Sequence, residues 1–396
     1  MKLFGRRYDN GEPTCVEIAG GKIVGAETLA SAERQTSCWP WIAPGLFDIQ
    51  VNGYGGQEFS SADLTPEQVI AIVQEYAAFG VTRFCPTLFT ASYEVLRHGL
   101  KTIVAACNSS PETARRIAAI HVEGPYISKD DGPRGAHPLE HCRPPDWDEF
   151  QRLQEAADGQ IRILTMSVEF DDSPGFIERV TRTGVVVAIG HTSADSAHIR
   201  AAVDAGARLS THLGNGCHLT MPVYPNYFWD QLAEDQLAAS LIVDGHHLPA
   251  SVVKTFVRVK TLERCLLISD VSGWAGRPPG RYTAGHGELE ILPDGKLVVA
   301  GQRQLLAGAS RPIGAGVANV MRFAGVSLTE AIDMATTHPA RLLSMPLGGL
   351  QPGDPADLVL FDLDLAEPDD EATLPEFAVR CTVSGGEVVW GTPWQP

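Results

Sequence analysis

The sequence predicts an α/β fold: a (β/α)8 barrel of the TIM type, accompanied by a small β-sandwich domain assembled from the two ends of the chain. Three observations carry this expectation. Short apolar runs alternate through the middle of the chain with polar or glycine-bearing loops and with longer stretches rich in Ala, Leu and Glu, the rhythm of repeated strand–helix units. Eight such strands can be counted, and eight units in a stretch of about 300 residues match the size of a closed barrel. The polar residues that demand an explanation fall at the C-terminal ends of those strands, where barrels of this kind build their active sites. A doubly wound open sheet is the alternative architecture for the same rhythm.

Residues 1–42 form the first part of the small domain, in which Val16-Glu-Ile-Ala-Gly-Gly-Lys-Ile-Val alternates apolar and polar positions around Gly-Gly as a hairpin does. The barrel occupies residues 43–345, with strands expected at 44–51, 81–86, 117–123, 161–168, 185–190, 208–212, 238–243 and 266–270. Helix starts are signalled by Thr65-Pro-Glu before a periodic run to Gly80, by Ser193-Ala-Asp before a run to Gly206, and by Ser327-Leu-Thr-Glu before Leu343. Residues 346–396 complete the small domain, with Ala356-Asp-Leu-Val-Leu-Phe-Asp and Glu387-Val-Val-Trp as strands. Neither end carries enough apolar residues for a core of its own, so the two are expected to pair beside the barrel.

Of the 396 residues, 44% are hydrophobic, 20% charged and 7% aromatic, a globular composition. Lys and Arg number 31 against 48 for Asp and Glu, a formal net charge of −17 that repels nucleic acid and anionic membranes, so neither is an expected partner. Met1-Lys-Leu-Phe-Gly-Arg-Arg has the charges that open a signal peptide, but Tyr-Asp-Asn-Gly-Glu-Pro-Thr stands where the apolar stretch should follow. No run approaches the roughly 18 apolar residues of a membrane-spanning helix. The eight cysteines are scattered without a Cys-x-x-Cys pair, which suits reduced thiols and a cytoplasmic location.

The chemistry is placed at the strand ends. Glu123 closes the third strand, His191 the fifth, His212 the sixth, Asp244-Gly-His-His the seventh and Asp270 the eighth. One Glu and two His at the mouth ends of three strands can converge as oxygen and nitrogen ligands on a divalent ion and leave a position for water. Asp270, across the mouth, is placed to take that water's proton and return it to a departing amine, which completes hydrolysis of an amide. Each residue alone has a structural reading: a strand-end histidine is commonly just hydrogen-bonded, and Glu123 before Gly-Pro can be a buried turn carboxylate. Four such residues at four strand ends, each beside a glycine or a hydroxyl residue, point to one shared site. His98, His141, His198 and His286 fall in expected helices or loops, as solvent-facing or capping residues.

These residues carry a resemblance. Pro44-Gly-Leu-Phe-Asp-Ile-Gln-Val-Asn-Gly-Tyr-Gly-Gly, His121-Val-Glu-Gly-Pro, Gly135-Ala-His, Gly190-His-Thr, Thr211-His-Leu-Gly-Asn, Asp244-Gly-His-His and Ser269-Asp occur in order and at matching spacing. The chain thereby resembles the N-acetylglucosamine-6-phosphate deacetylases of the amidohydrolase superfamily, from about Pro44 through Leu306-Ala-Gly, Thr337-His-Pro-Ala-Arg and Gly353-Asp-Pro-Ala-Asp-Leu-Val. No single motif is decisive, whereas the ordered set is specific. The resemblance implies metal ligation by Glu123, His191 and His212, with Asp270 as general base and then acid and His247 polarising the acetyl carbonyl. It implies a substrate pocket formed by Gln50, Ala136, His137, Asn215, Gly216, His247 and the backbone near Leu306. Gln50 stands in place of the first His of a His-x-His pair and Leu164-Thr-Met-Ser-Val lacks a bridging Lys, which favours one metal ion over two. Zinc is the expected ion, and the same donors also accept iron, cobalt or manganese. A homodimer is implied as well.

At one place the sequence departs from the family. Where the family supplies an Arg to the phosphate, eight residues beyond the Asn of strand six, this chain has Val223, and no Arg or Lys occurs before Lys254. A bidentate arginine contact is one that valine cannot replace. His218, Tyr224, Asn226 and Tyr227 are candidate contacts to a sugar hydroxyl, and Arg134, Arg277, Arg281 and Arg303 are candidate anchors for an anion. The expected reaction is deacetylation of an N-acetyl amino sugar, foremost N-acetylglucosamine 6-phosphate to glucosamine 6-phosphate and acetate. The alternative is a non-phosphorylated or differently substituted N-acyl amine. A catalytically silent barrel would be expected to have lost the base or a ligand, and here all four residues are present.

Overall fold

The computed structural model describes residues 1–29, 38–284, 287–346, 348–365 and 374–396. Eight parallel strands follow one another around a barrel in chain order: Leu46–Val51, Val81–Phe89, Ile120–Glu123, Ile161–Met166, Val186–Ile189, Leu209–Ser210, Ala238–Ile242 and Cys265–Ile268. Closure between the eighth and the first is made just beyond the strands, where Val51 bridges Val271, Asp270 N–H donates to the Gln50 carbonyl at 3.0 Å and Asn52 N–H to Val271 at 2.9 Å. Phe47, Ile49, Cys85, Ala119, Ile163, Ala188, Leu209, Ile242, Leu266 and Ile268 pack into one inner cluster, so the barrel is filled rather than hollow. Chemistry is thereby confined to its mouth.

The helices begin where the sequence signals them. Thr65 and Gln68 form a reciprocal capping box at the start of helix Pro66–Tyr76, Asp195 caps helix Ser196–Asp204, and Ser327 with Glu330 caps helix Leu328–Met334. The run expected to continue to Leu343 is divided, because Ala335 gives its carbonyl to Phe47 N–H of the first strand and a second helix, Thr337–Leu342, starts afresh. Strand six is cut to two residues, since His212 leaves the extended region at φ 32°.

The two ends pair as expected, in a single mixed seven-stranded sheet. Trp41–Pro44 lies parallel to Lys2–Arg7 and antiparallel to Leu358–Asp364, joining the N-terminal strands to the C-terminal ones. Leu3, Val16, Ile18, Ile23, Ile42, Leu358, Leu360, Cys381 and Val383 bury its core. A further four-stranded antiparallel sheet, Gly280–Ala284, Gly287–Ile291, Leu297–Val299 and Gln302–Leu306, follows the eighth barrel strand and was not anticipated. Its strands are only three to five residues long, so little local pattern separates them from loop. Leu289, Ile291, Leu297 and Ala307 gain their burial by packing against Ala136 and Trp274 beside the barrel mouth. All eight cysteines are free thiols. No helix among the described residues is long and apolar enough to cross a membrane.

A buried carboxyl helps to close the barrel. Asp48 is fully buried, and its Oδ1 accepts from Gln50 N–H at 3.3 Å and from Ser269 N–H at 3.2 Å, linking the first strand to the eighth. Burial pushes its pKa up to about 7, against the bonds from Ser269 and Gln50 that favour the ionised form. The folded state therefore keeps a proton that the unfolded chain releases near pH 4, and this group removes stability as pH rises from about 4 to 7. Asp48→Asn should abolish that loss, worth on the order of 2–4 kcal/mol. Urea unfolding of both proteins at pH 5 and pH 8 would show a flatter pH dependence in the variant, and an unchanged slope would contradict the assignment.

Candidate active site

Three strand ends bring Glu123, His191 and His212 together. Glu123 Oε1 lies 3.1 Å from His191 Nε2 and 2.9 Å from His212 Nε2, and the two ring nitrogens are 3.0 Å apart. All three residues are buried. His191 Nδ1 meets the Pro133 carbonyl at 2.8 Å. A carbonyl can only accept, so His191 Nδ1 donates there and Nε2 is the atom turned toward the other two. One carboxylate oxygen with two imidazole nitrogens, all turned to one spot, is a donor set for a divalent ion. Despite its burial, Glu123 is held well below the usual carboxylate range by the two histidines.

Outer contacts fix these side chains. Gln50 Nε2 donates to Glu123 Oε2 at 3.0 Å, which orients the carboxylate. Gln50 does not line the cavity, so its place is behind the ligand set and not against a substrate. Gly216 carries φ +57°, and a Cβ there would lie 2.6 Å from His191 Nδ1, so only glycine lets the loop after strand six close over that ring. His191, His212 and Asp270 are themselves non-glycine residues at positive φ, 52°, 32° and 50°. Such strain persists where the surroundings enforce it, and it turns these side chains from the strand direction into the mouth.

The cavity above them has a volume of about 1570 Å³ and is lined by Ala136, His137, Asn215, Gly216, His247, Asp270 and Leu306 among others. Asn52 Nδ2 donates to Asp270 Oδ1 at 2.8 Å. Burial first, and then the Glu123 carboxylate, push Asp270 up to about 6. His247 Nδ1 donates to Asp244 Oδ2 at 2.8 Å, and Asp244, against the cost of its burial, is held down to about 2 by His247 and by the N–H groups of His246 and His247. His137 Nε2 lies 3.2 Å from His191 Nε2, and its Nδ1 meets Thr90 Oγ1 at 2.8 Å.

Asn52, Thr90 and the Asp244 partnership escaped sequence reasoning, because an Asn-Gly pair or a strand-end Thr carries no local mark of what it will touch. His121 is buried between the Ile49 carbonyl and Thr165 Oγ1, below the mouth. His98 lies on a helix with Nε2 on the Leu64 carbonyl, His198 caps its own helix through Asp195, and His141 ends a short turn. His286 and the side chain of Arg303 lie outside the described residues. Arg134 is paired with Asp131, Arg281 with Glu290, and Arg277 stacks on Tyr282. Val223 and Tyr224 are exposed, while Tyr227 is buried against His218.

Comparison with known proteins agrees with this geometry. Residues 41–389 match the amidohydrolase family model, and the chain belongs to that family of metal-dependent hydrolases. Within it, the N-acetylglucosamine-6-phosphate deacetylase of Bos taurus is 32% identical over 94% of this chain and 90% of its own length. An N-acetylgalactosamine-6-phosphate deacetylase of Escherichia coli O157:H7 is 30% identical over 88% of this chain and 91% of its own. A variant of the Mycobacterium smegmatis N-acetyl-D-glucosamine-6-phosphate deacetylase, solved with N-acetyl-D-glucosamine-6-phosphate, superposes with a TM-score of 0.83 at 28% identity, covering 98% of this chain and 99% of that one.

His191→Ala and His212→Ala should each abolish metal retention, since two remaining protein donors compete poorly with water. His98→Ala should retain metal fully. Elemental analysis of the purified proteins after dialysis decides it, and equal metal in all three would refute the ligand assignment.

Proposed function

We propose that the chain hydrolyses the N-acetyl amide of an N-acetylhexosamine 6-phosphate, foremost N-acetylglucosamine 6-phosphate, to the free amine and acetate. The observation that carries this reading is the convergence of Glu123 Oε1, His191 Nε2 and His212 Nε2 on the floor of one cavity that Asp270 and His247 also line. One divalent ion, zinc in this reading, would be held by those three atoms and supplies a Lewis acid that lowers the pKa of water to about 7. Asp270 has Oδ1 fixed by Asn52, which leaves Oδ2 to take the proton of the attacking water. As the C–N bond breaks, the same oxygen returns the proton to the departing nitrogen. A carboxyl poised near 6 is ionised at neutral pH and remains acidic enough to give the proton back. His247, with Nδ1 on the ionised Asp244, leaves Nε2 for the acyl oxygen. A cytoplasmic homodimer completes the reading, supported by eight free thiols and by exposed Leu219, Val223 and Tyr224 on the loop beyond strand six.

A specific observation favours a second reading, in which the phosphate contributes little. Val223 is 71% exposed, and among the described residues Arg134 is the one Lys or Arg that lines the cavity, where it is paired with Asp131 and bonded to the His137 carbonyl. Turnover of N-acetylglucosamine 6-phosphate against N-acetylglucosamine separates the two. A preference of about 10³ or more in kcat/KM supports phosphate recognition, whereas about tenfold or less supports the second reading and predicts that Val223→Arg raises activity on the phosphorylated sugar alone.

Asp270→Asn should cut kcat by roughly 10² or more while metal content stays complete. A variant with full metal and near-normal turnover would remove Asp270 from the acid–base role.

A further inference from the structure

Glu58 is a carboxyl that neither the barrel nor the proposed reaction uses. It is 9% exposed and lines the catalytic cavity together with Asn52, Asp270 and Ser272. Trp274 stands beside its carboxyl, close enough to lower its pKa. A carboxylate can accept about four hydrogen bonds, so one indole neighbour leaves acceptor positions open toward the cavity.

The surrounding backbone holds Glu58 rigidly in that exposed-to-cavity position. It ends the two-stranded hairpin Gly53–Tyr54 and Gln57–Glu58, which is tied to the turn after strand eight by Gly55 N–H on the Ala275 carbonyl at 3.0 Å and Gly56 N–H on the Gly273 carbonyl at 2.7 Å. Phe59 N–H then bonds to the Asn52 carbonyl at 3.0 Å, so Glu58 and the asparagine that fixes Asp270 share one short loop. A Cβ on Gly273 would fall 2.2 Å from Glu58 Cγ, so glycine at that position makes the groove in which the Glu58 stem lies. The head group is thus preorganised at the cavity wall, next to the catalytic carboxylate but not bonded to it.

We infer that Glu58 is a substrate-binding residue that accepts a hydrogen bond from a ring hydroxyl of the amino sugar. The inference rests on the proposed deacetylase reading for the identity of the ligand. A hydroxyl supplies a further donor for this carboxyl, and a site built to bond a hydroxyl discriminates against a sugar that lacks it. Burial raises Glu58 to about 7, so at and above neutral pH the ionised, acceptor-only form is available for this role.

The test couples the side chain to the hydroxyl. The N-acetylhexosamine that the wild type turns over fastest and its 3-deoxy and 4-deoxy analogues are assayed with the metal-loaded wild type, Glu58→Ala and Glu58→Gln. Loss of one hydroxyl should lower wild-type kcat/KM by roughly 10- to 100-fold. Glu58→Ala should show that same loss on the parent sugar, mostly in KM, with less than about twofold further loss on the matching analogue. Glu58→Gln, which keeps an acceptor oxygen in place, should recover most of the affinity. Glu58→Met substitutes for the alanine variant if that protein does not fold. Full additivity on both analogues, or a wild type indifferent to both hydroxyls, overturns the inference. Calorimetric binding of the product hexosamines to the same proteins separates the two readings: coupling without turnover keeps Glu58 as a hydroxyl ligand and defeats the deacetylase reading, whereas turnover without coupling does the reverse.

Discussion

One carboxylate oxygen and two imidazole nitrogens held about 3 Å apart are the constraint around which this molecule is organised. Glu123, His191 and His212 come from the ends of three different strands, and each would be stable alone in a buried, hydrogen-bonded niche. Together they form a donor set suited to a divalent ion, and the fold must hold three separate strand ends in register to keep it. It does so with a filled barrel, whose inner cluster of Phe47, Ile163, Leu266 and their neighbours cannot relax to let the strand ends drift. The positive φ angles of His191 and His212 are the local mark of that enforcement.

The same end of the barrel collects carboxyls whose protons are loosely decided. Asp48 and Glu58 are pushed up to about 7 and Asp270 to about 6, chiefly by burial, while Asp244 is drawn down to about 2 by the donors around it. Environment sorts one residue type into different settings: Asp48 joins strands one and eight, Asp270 lines the cavity on the Asn52 amide, and Asp244 accepts from His247. Asn52 and Gln50 divide the supporting work on strand one, the first fixing Asp270 and the second fixing Glu123. A change in the first strand is therefore felt at both halves of the reaction centre.

The sheet that follows strand eight adds the outer wall. It contributes Leu289, Val299 and Leu306 to the cavity lining and packs on Ala136 and Trp274, so the loop after strand three and the turn after strand eight are clamped by one element. Substrate shape is set by this clamp, whereas the reaction class is set by the strand ends beneath it.

By itself the sequence determined the barrel, because eight strands with helix caps at regular spacing leave a pattern that local physics produces and a reader can count. It also brought Glu123, His191, His212 and Asp270 into one hypothesis, since strand ends in a parallel barrel all open on one face. Tertiary structure alone decided which groups face which. That Gln50 stands behind Glu123, that Asn52 holds Asp270, that the four-stranded sheet folds over Trp274, and that Glu58 lines the cavity wall beside Trp274 depend on residues far apart in the chain meeting across the mouth. Hydrogen bonds and desolvation act over a few ångströms of space, and neither leaves a period or a spacing in the sequence from which it could be read.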